Sequence, residues 1–412
     1  MSPVEAAHGQ YRSKRPKSAA ADVAARAVIP GGNTRSVLHF DPFPFRVATA
    51  AGPYLTDIDG FTYVDLLGNY TAGLLGHSPA PIRRAVSAVL ETGFAMGATH
   101  TVEIEAARLI VDRFPSIEQV RFTNSGTEAN LMALGLALHH TGRSRIVVFE
   151  HGYHGGVLSF EHGSSPLNVP HDFVILPFND IEAVREALGA DGNGVACVIV
   201  EPMQGAGGCI PAADGFLREL RRICDRSGTL LIFDEVMTSR FSPGGAQELF
   251  DVMPDITTLG KYLAGGLTFG AFGGRADIFT AFDPSTGGAL SQAGTFNNNI
   301  LSMSAVVATI TEVLTPELIF TVNERGNRLR EGLVRTFDDH GQALSVTGVG
   351  SLMAIHGSDT ELELFFHDML DQGWYLARRG FIALSIEITD QLIDEFLAAV
   401  QARAACTPRL ST

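Results

Sequence analysis

Asp234 and Lys261 have the residue types and the spacing for covalent chemistry on a bound ring. Asp234 ends the apolar run Leu230–Phe233, and Lys261 follows the run Ile256–Leu259 further along the chain. That interval fits one strand-helix-strand step, so we expect both side chains at the same edge of a sheet. A desolvated lysine amine can form a Schiff base, and a buried carboxylate can pair with a protonated ring nitrogen. A solvated lysine and a carboxylate satisfied by backbone donors are the alternatives.

Lysine is scarce in this sequence. Only Lys14, Lys17 and Lys261 occur among the 412 residues. Lys261 lies in the apolar, glycine-rich stretch TLGKYLAGG, and such surroundings favour an uncharged, nucleophilic amine. Chemistry that needs a lysine therefore points to Lys261.

Small residues and hydroxyls follow the predicted strand Gln119–Thr123. Ser125, Gly126 and Thr127 stand where the helix Gly126–Thr141 begins, and backbone N–H groups at such a turn can bind a phosphate. An ordinary helix cap is the alternative use of these residues. Tyr153, next to glycines, could stack on a flat ring, and Thr295 adds a second hydroxyl in a glycine-flanked loop. Together these residues indicate a site for a phosphorylated aromatic heterocycle with an aldehyde.

Other chemistries lack their motifs. The patterns GxGxxG, P-loop, GxSxG and HExxH do not occur, which argues against dinucleotide enzymes, P-loop NTPases, hydrolases of the elbow type and zincins. The four cysteines form no CxxC or Cys/His spacing, so neither a metal site nor a disulfide framework is predicted.

Composition excludes further classes of protein. A net charge of −15 opposes nucleic-acid binding. No run of 18 apolar residues appears, so no membrane span is expected. The first residues contain no apolar signal segment. We therefore expect a cytoplasmic protein with reduced cysteines.

The order of predicted elements gives the architecture. Residues 1–20 read as a disordered tail, and residues 21–80 as an N-terminal segment with a small β region. From 81 to 300 short apolar runs alternate with helices, which indicates a large α/β domain with buried, mostly parallel strands. Residues 301–412 read as a small α+β domain, beginning with a long helical stretch over 301–339.

Taken in order, the motifs resemble one enzyme family. SGT at 125–127, YHG at 153–155, Glu201-Pro202, DEV at 234–236, Lys261 and GTF at 294–296 are similar to class III aminotransferases, which use pyridoxal phosphate (PLP) and have fold type I. The likeness is strongest to glutamate-1-semialdehyde aminomutases and β-amino-acid (β-phenylalanine type) aminotransferases. It implies a mostly parallel seven-stranded sheet in the large domain, and a small α+β domain formed by the N- and C-terminal segments.

The resemblance implies a role for each residue. Lys261 would carry PLP as a Schiff base, Asp234 would hold its pyridine N–H, and Tyr153 would stack on the ring. Ser125, Gly126 and Thr127 would bind the phosphate. Thr295 would reach the cofactor phosphate of a neighbouring subunit, so the active unit would be a homodimer. Glu201 would lie near the ring oxygen, and Val236 would pack on the opposite face of the ring or serve only as core.

The reaction itself is open between two members of the subgroup. GTFNNN at 294–299 looks more like the β-amino-acid aminotransferases than like the aminomutases. We therefore expect an amino group to pass from an amino acid to a keto acid, with an aminomutase-type isomerase as the alternative. Arg35 is the candidate for a substrate carboxylate, or else a structural ion-pair residue. A PLP-binding protein without turnover is a third alternative, which the intact pair of Lys261 and Asp234 disfavours.

Overall fold

The computed structural model describes residues 2–287 and 289–406, which fall into two compact units. One unit joins the N-terminal residues up to Pro79 to the C-terminal residues from Val322, and the other comprises Ala80–Thr321. The α-helices are α1 (Pro3–Lys14), α2 (Pro16–Arg26), α3 (Ala80–Thr92), α4 (Thr101–Arg113), α5 (Gly126–Thr141), α6 (Ile181–Leu188), α7 (Phe216–Ser227), α8 (Ala246–Phe250), α9 (Ala276–Phe279), α10 (Ile300–Ala308), α11 (Pro316–His340), α12 (Asp359–Asp371) and α13 (Asp390–Cys406). The strands are β1 (Val47–Ala51), β2 (Tyr54–Asp57), β3 (Thr62–Asp65), β4 (Gln119–Thr123), β5 (Arg145–Phe149), β6 (Asp172–Leu176), β7 (Val195–Val200), β8 (Met203–Gln204), β9 (Ile210–Pro211), β10 (Leu230–Asp234), β11 (Ile256–Gly260), β12 (Gly270–Gly274), β13 (Ser345–Val349), β14 (Leu352–His356), β15 (Trp374–Tyr375) and β16 (Phe381–Ala383).

The unit of residues 80–321, here called the large unit, is built on a seven-stranded sheet. Its strand order is β4-β12-β11-β10-β7-β5-β6, and only β12 runs antiparallel to its neighbours. The side chains of β7 and β10 are buried along their whole length because helices cover both faces of the sheet. Helix α5 contributes to the core on one face, and α6 and α7 contribute to the core on the other. The predicted mostly parallel α/β sheet is confirmed.

The other unit, here called the small unit, contains two small sheets with helices. Strand β15 pairs with β3 at the edge of the sheet β1-β2-β3-β15, so the last third of the chain completes a sheet begun near the N-terminus. The second sheet has the order β13-β14-β16. Aromatic side chains from both ends of the chain share one core, including Tyr11, Phe40, Phe45, Tyr63 and Phe366. This is the α+β domain expected from the two terminal segments.

The expectation of a disordered tail over residues 1–20 is wrong for the residues described there. Ser2 caps α1 in a reciprocal arrangement with Glu5, and Pro16 begins α2. Arg15, between the helices, is buried: its Nε donates to the Tyr63 hydroxyl at 2.9 Å and lies 3.6 Å from Asp57 Oδ2. These partners lie more than 40 residues away, so local charge and composition did not reveal the packing.

The predicted boundary near residue 300 is also displaced. Helix α10 belongs to the large unit, where Ser302 Oγ donates to the Thr268 carbonyl at 2.7 Å. The predicted single helical stretch over 301–339 is interrupted before Pro316, and Thr315 Oγ1 caps the new helix by accepting from Leu318 N–H at 3.2 Å. Within the described residues no single helix has the length and hydropathy of a membrane span; only the bent pair Ile300–Val313 and Pro316–His340, counted together, reaches them by length and composition.

Candidate active site

Candidate residues of the large unit follow five strands that point the same way. Ser125 follows β4, Tyr153 follows β5, Glu201 follows β7, Asp234 ends β10 and Lys261 follows β11. Because the carboxyl ends of parallel strands meet at one edge, the sheet brings these residues to the same side. The register of β10 and β11 is direct, with Asp234 opposite Thr258, three residues before Lys261.

Asp234 is buried and held by polar donors on both oxygens. Its Oδ2 is 2.8 Å from His154 Nδ1 and accepts a hydrogen bond from Asn130 Nδ2, also at 2.8 Å. Its Oδ1 accepts from the backbone N–H of Val236 at 3.0 Å. The alternative, in which backbone donors satisfy this carboxylate, therefore holds for Oδ1 but not for Oδ2. An imidazole and an amide fix Oδ2, so the carboxylate is fixed in orientation.

Asn130 and His154 are residues of the candidate site whose roles the sequence analysis missed, although His154 lies in the quoted YHG motif and Asn130 in the predicted helix Gly126–Thr141. Asn130 Nδ2 also donates to the His154 carbonyl at 2.8 Å, and its Oδ1 accepts from Thr258 Oγ1 at 2.6 Å. Helix α5 and strands β10 and β11 are thereby linked around Asp234. A buried asparagine in an otherwise apolar helix was the available signal, because buried amides need several partners.

The charges around His154 alter two pKa values. Burial alone would lower the pKa of His154, but the hydrogen bond to Asp234 and the charges of Asp234 and Glu201 raise it above its usual value. Burial and the nearby Asp234 charge raise the pKa of Glu201 to about 7, against the opposing effects of His154 and of the N–H groups of Gly205 and Tyr153. One imidazole thus faces two carboxylates, and the cluster can accommodate a further cationic group.

Lys261 begins a short 3₁₀ turn directly after β11. Its backbone has φ of 54°, in the left-handed region that non-glycine residues seldom occupy, and its side chain is half-buried. Such a conformation at a functional residue is a sign that the surrounding structure fixes it. The structure thus places Lys261 at the strand edge, in place of the alternative of a fully solvated lysine.

Val236 lies between two glycines near this edge. A Cβ on Gly126 would come within 2.8 Å of both Val236 methyl carbons, and a Cβ on Gly260 within 3.3 Å of one of them. The glycines therefore allow Val236 to pack against the turn that begins α5. This packing fits either predicted use of Val236.

Ser125 serves as the cap of α5. Its Oγ accepts from the backbone N–H of Glu128 at 3.2 Å, so the alternative of a helix cap is realised for this hydroxyl. The turn still presents the start of a helix, where N–H groups and the helix dipole favour an anion. A Cβ on Gly155 would collide with the Thr127 side chain, so the two loops approach closely.

Tyr153 and Thr295 are both exposed within the single chain. Tyr153 is 42% exposed, and its backbone N–H donates to Glu201 Oε2 at 3.0 Å. Thr295 lines an open cleft of about 690 Å³ together with residues of α4 and β4, among them Glu103 and Arg121. The predicted role of Thr295 on a neighbouring subunit stays a prediction.

Arg35 belongs to the small unit and is exposed. Its Nη1 donates to Asn69 Oδ1 at 2.5 Å, and its guanidinium carbon lies 5.9 Å from the centre of the Tyr70 ring. Arg379 approaches the same ring, at 5.7 Å. Asn69, Tyr70 and Thr71 all have left-handed backbone conformations, with φ of 48°, 51° and 78°. Arg35 thus contacts an amide and an aromatic ring, and neither contact is an ion pair.

The comparisons with known proteins agree with this geometry. The family model for class III aminotransferases matches residues 38–403. The chain belongs to the class III aminotransferases. It is 46% identical to a β-phenylalanine transaminase of Variovorax paradoxus over 409 residues, which cover 96% of this chain and 94% of the relative. The predicted family and enzyme class are confirmed.

Solved structures of aminotransferases share the whole fold. A β-phenylalanine aminotransferase from Variovorax paradoxus superposes with a TM-score of 0.96 at 44% identity, over 99% of each chain. A transaminase with PLP bound superposes with a TM-score of 0.89 at 31% identity, over 95% of this chain and 97% of its own. The predicted fold type is thereby confirmed.

Proposed function

We propose that this aminotransferase transfers the amino group of a β-amino acid, of the β-phenylalanine type, to a keto acid. The proposal rests on one edge of the sheet in the large unit. There Asp234 ends β10 and lies opposite Thr258 of β11, and Lys261 directly follows β11. The identity to a β-phenylalanine transaminase supports the class of donor.

Pyridoxal phosphate is the cofactor, as the family match and the PLP-bound relative indicate. The residues present fit it. Asp234 is a buried anion with fixed orientation for a ring N–H, and the turn at Ser125–Thr127 opens a helix N-terminus for a phosphate. Gly126 and Gly155 stand where a Cβ would collide with neighbouring side chains. When bound, the cofactor supplies an aldehyde for the amine and a ring that withdraws electrons from the reacting carbon.

Each side chain of the candidate site has a separate role in the proposed reaction. Asp234 holds the proton on the ring nitrogen, because a buried carboxylate stabilises a cation beside it. His154 and Asn130 keep that carboxylate in place through their bonds to Oδ2. Lys261 Nζ would bind the cofactor covalently through its aldehyde, and its amine would take up and return the proton of the donor's reacting carbon. Tyr153 would cover the ring of the cofactor, and Glu201 would lie on the side of the ring oxygen.

Arg35 binds the donor carboxylate in this proposal. Its exposed guanidinium has hydrogen-bond donors suited to a planar carboxylate, and the adjacent Tyr70 ring offers an aromatic surface to an aryl side chain. Tyr70 is fixed by its hydroxyl, which donates to the Val37 carbonyl at 2.7 Å, and by Phe381, whose ring lies 5.7 Å away. A rigid ring beside a guanidinium suits a substrate that carries both an aryl group and a carboxylate.

The active unit is proposed to be a homodimer. Thr295 and Phe296 are exposed on one loop, and Phe296 is 64% exposed. Phe94, Met96 and Ile104 of the same unit are exposed as well, at 49%, 44% and 60%. Apolar side chains exposed in such number mark a surface that another protein covers, and a second copy would carry Thr295 to its neighbour's phosphate site.

A half-reaction tests the proposed activity. The PLP-loaded enzyme is mixed with β-phenylalanine in the absence of any keto acid, and its visible spectrum is followed. Stoichiometric conversion of the bound cofactor to its pyridoxamine form, with one equivalent of keto product, is expected. Catalytic isomerisation of an amino aldehyde such as glutamate-1-semialdehyde, without an acceptor, would instead favour the aminomutase alternative. No response to any β-amino acid would refute the proposed donor class.

A further inference from the structure

Three metal-ligating side chains meet in the small unit, outside the groups used above. His8 comes from α1, and Glu363 and His367 come from successive turns of α12. One ligand atom of each residue lies within 4.8 Å of the corresponding atoms of the other two. His8 and Glu363 are separated by 355 residues in sequence, so only the fold brings the set together.

Both imidazoles point at the same carboxylate oxygen. Glu363 Oε1 lies 2.8 Å from His8 Nε2 and 3.2 Å from His367 Nε2. Ligand atoms bound at about 2.0–2.2 Å around a tetrahedral zinc ion lie somewhat more than 3 Å apart, so small side-chain rotations would open room for an ion. The Asp41 carbonyl oxygen is 3.1 Å from His367 Nε2, which adds an oxygen at the same place.

The other oxygen of Glu363 is already anchored. Arg378 Nη1 donates to Oε2 at 2.9 Å, so Oε1 is directed to the two histidines. His8, His367 and Arg378 thus all lie within hydrogen-bond distance of the Glu363 carboxylate, which is the shared centre of the cluster. Outer donors of this kind orient ligating carboxylates in metal sites.

The surroundings fix one histidine and leave the other accessible. Glu363 and His367 are buried, and the His367 ring is packed against Tyr11, Phe40 and Phe366, with centroids 5.4, 6.4 and 5.1 Å away. His8 is half-buried, with 21% of its side chain exposed. A rigid pair of ligands with one accessible partner can admit an ion from solvent.

We propose that His8, Glu363 and His367 bind a divalent transition-metal ion of the zinc class. Two imidazole nitrogens and one carboxylate oxygen are the ligands that Zn²⁺ takes, whereas Ca²⁺ and Mg²⁺ prefer oxygen ligands alone. Three protein ligands leave a fourth position for water or for the Asp41 carbonyl. Each histidine ligates as the neutral ring, so the ion competes with protons on His8 and His367.

Such an ion would fasten α1 to α12. The metal ion would add to the aromatic packing of Tyr11 and to the ion pair between Lys14 and Asp371, which already hold α1. A ligand that binds only the folded state raises the free energy of unfolding according to its concentration and affinity. Zinc is therefore expected to stabilise the protein in a way that needs His8.

Calorimetric titration of the PLP-loaded enzyme with zinc chloride at about pH 8 tests the site, since histidine binds a metal ion as the neutral ring. One ion per chain is expected, together with a higher midpoint of thermal unfolding. His8→Ala should weaken the affinity by at least about tenfold, as even the loss of an outer-sphere partner does. Glu363→Gln should weaken it as well, because the amide carries no charge. His162→Ala, at an exposed histidine of the large unit, is the matched control and should change nothing.

Two outcomes would overturn the proposal. One is a parent enzyme that takes up no stoichiometric zinc, or that binds it no better than His8→Ala does. The other is a result on the dependence on pH. The ionisable groups in and around the cluster are His8, His367, Glu363, Arg378 and Tyr11. Zinc binding should weaken on acidification, because protons compete with the ion for its ligands. A thermal stability that rises on acidification and ignores zinc would show that the cluster is only an imidazolium–carboxylate pairing.

Discussion

The two units hold their candidate residues in different ways. In the large unit Asp234 and Lys261 follow buried strands of one sheet, and the carboxylate of Asp234 is fixed by His154. In the small unit Arg35 and Arg379 are exposed beside the Tyr70 ring, on backbone outside regular helices and strands. Strand ends hold groups rigidly, whereas loops vary without disturbing a core. Under the proposed function, the sheet therefore carries the cofactor chemistry and the loops carry the choice of substrate.

The largest effect is expected at Lys261. Lys261→Ala should lower turnover by at least about 10⁴-fold and abolish the visible absorbance of the bound cofactor, because both the covalent link and the proton carrier are lost. Steady-state kinetics and the absorption spectrum measure these two changes. Lys14→Ala, at an exposed lysine of α1, is the control and should behave as the parent enzyme. Substantial remaining activity in Lys261→Ala would remove the lysine from the chemistry.

Asp234→Asn should come next. We expect kcat to fall by about 10²–10³-fold with little change in KM, since a neutral amide no longer stabilises the proton on the ring nitrogen. Asn keeps the size of the side chain, so the folded structure should be retained and is checked by circular dichroism. A higher KM with an unchanged kcat would contradict the proposed role of Asp234. It would also remove the proposed difference between the two units.

A variant of Glu235 measures how a buried carboxyl group at this strand edge affects the free energy of unfolding. This neighbour of Asp234 accepts from the neutral donors Ala246 N–H, Gln247 N–H and Gln247 Nε2, and burial raises its pKa to about 7. The folded state therefore keeps the proton at pH values where the unfolded chain has lost it. Stability from this group is present at about pH 5 and falls by up to about 3 kcal/mol as the pH rises through 7.

Glu235→Gln should remove that part of the pH dependence. Urea unfolding at about pH 5 and about pH 8 measures the difference, and Glu186→Gln, at an exposed glutamate of α6, is the control. Equal pH dependence in the parent and in Glu235→Gln would show that Glu235 is ionised in the folded protein.

The smallest effect is expected at Arg35. Arg35→Ala should raise KM for β-amino acids by about tenfold and leave kcat nearly unchanged, because it removes one charge-assisted carboxylate contact. Simple amines without a carboxylate should show no such change. A fall in kcat with both kinds of donor would show that Arg35 affects the chemical step, as the strand-edge residues do. The proposed difference between the two units would then be wrong.

The sequence predicted the large unit well for a physical reason. Buried parallel strands read as continuous apolar runs, and β4 begins and ends at the predicted residues. A polar residue directly after such a run stands out, which is why Asp234 and Lys261 could be identified. Because the strands are parallel, the residues that follow them then lie at the same edge of the sheet.

Contacts between distant segments could not be predicted in the same way. Nothing in the local sequence shows that Arg15 pairs with Asp57, and a basic, polar stretch reads as a tail until those partners are known. The bond between His154 and Asp234 spans 80 residues, and that between His8 and Glu363 spans 355. Such pairs depend on how elements pack, which hydrophobic periodicity does not encode.

The scarcity of lysine has a practical consequence for handling this enzyme. Lys14 and Lys17 are both exposed and lie on α1 and α2, while Lys261 is half-buried in the large unit. Amine-reactive coupling to a resin would therefore join the enzyme to the support through lysines on its first two helices. Bound cofactor would shield Lys261 from the reagent, so immobilisation in a uniform orientation and with retained activity should be achievable without an engineered tag.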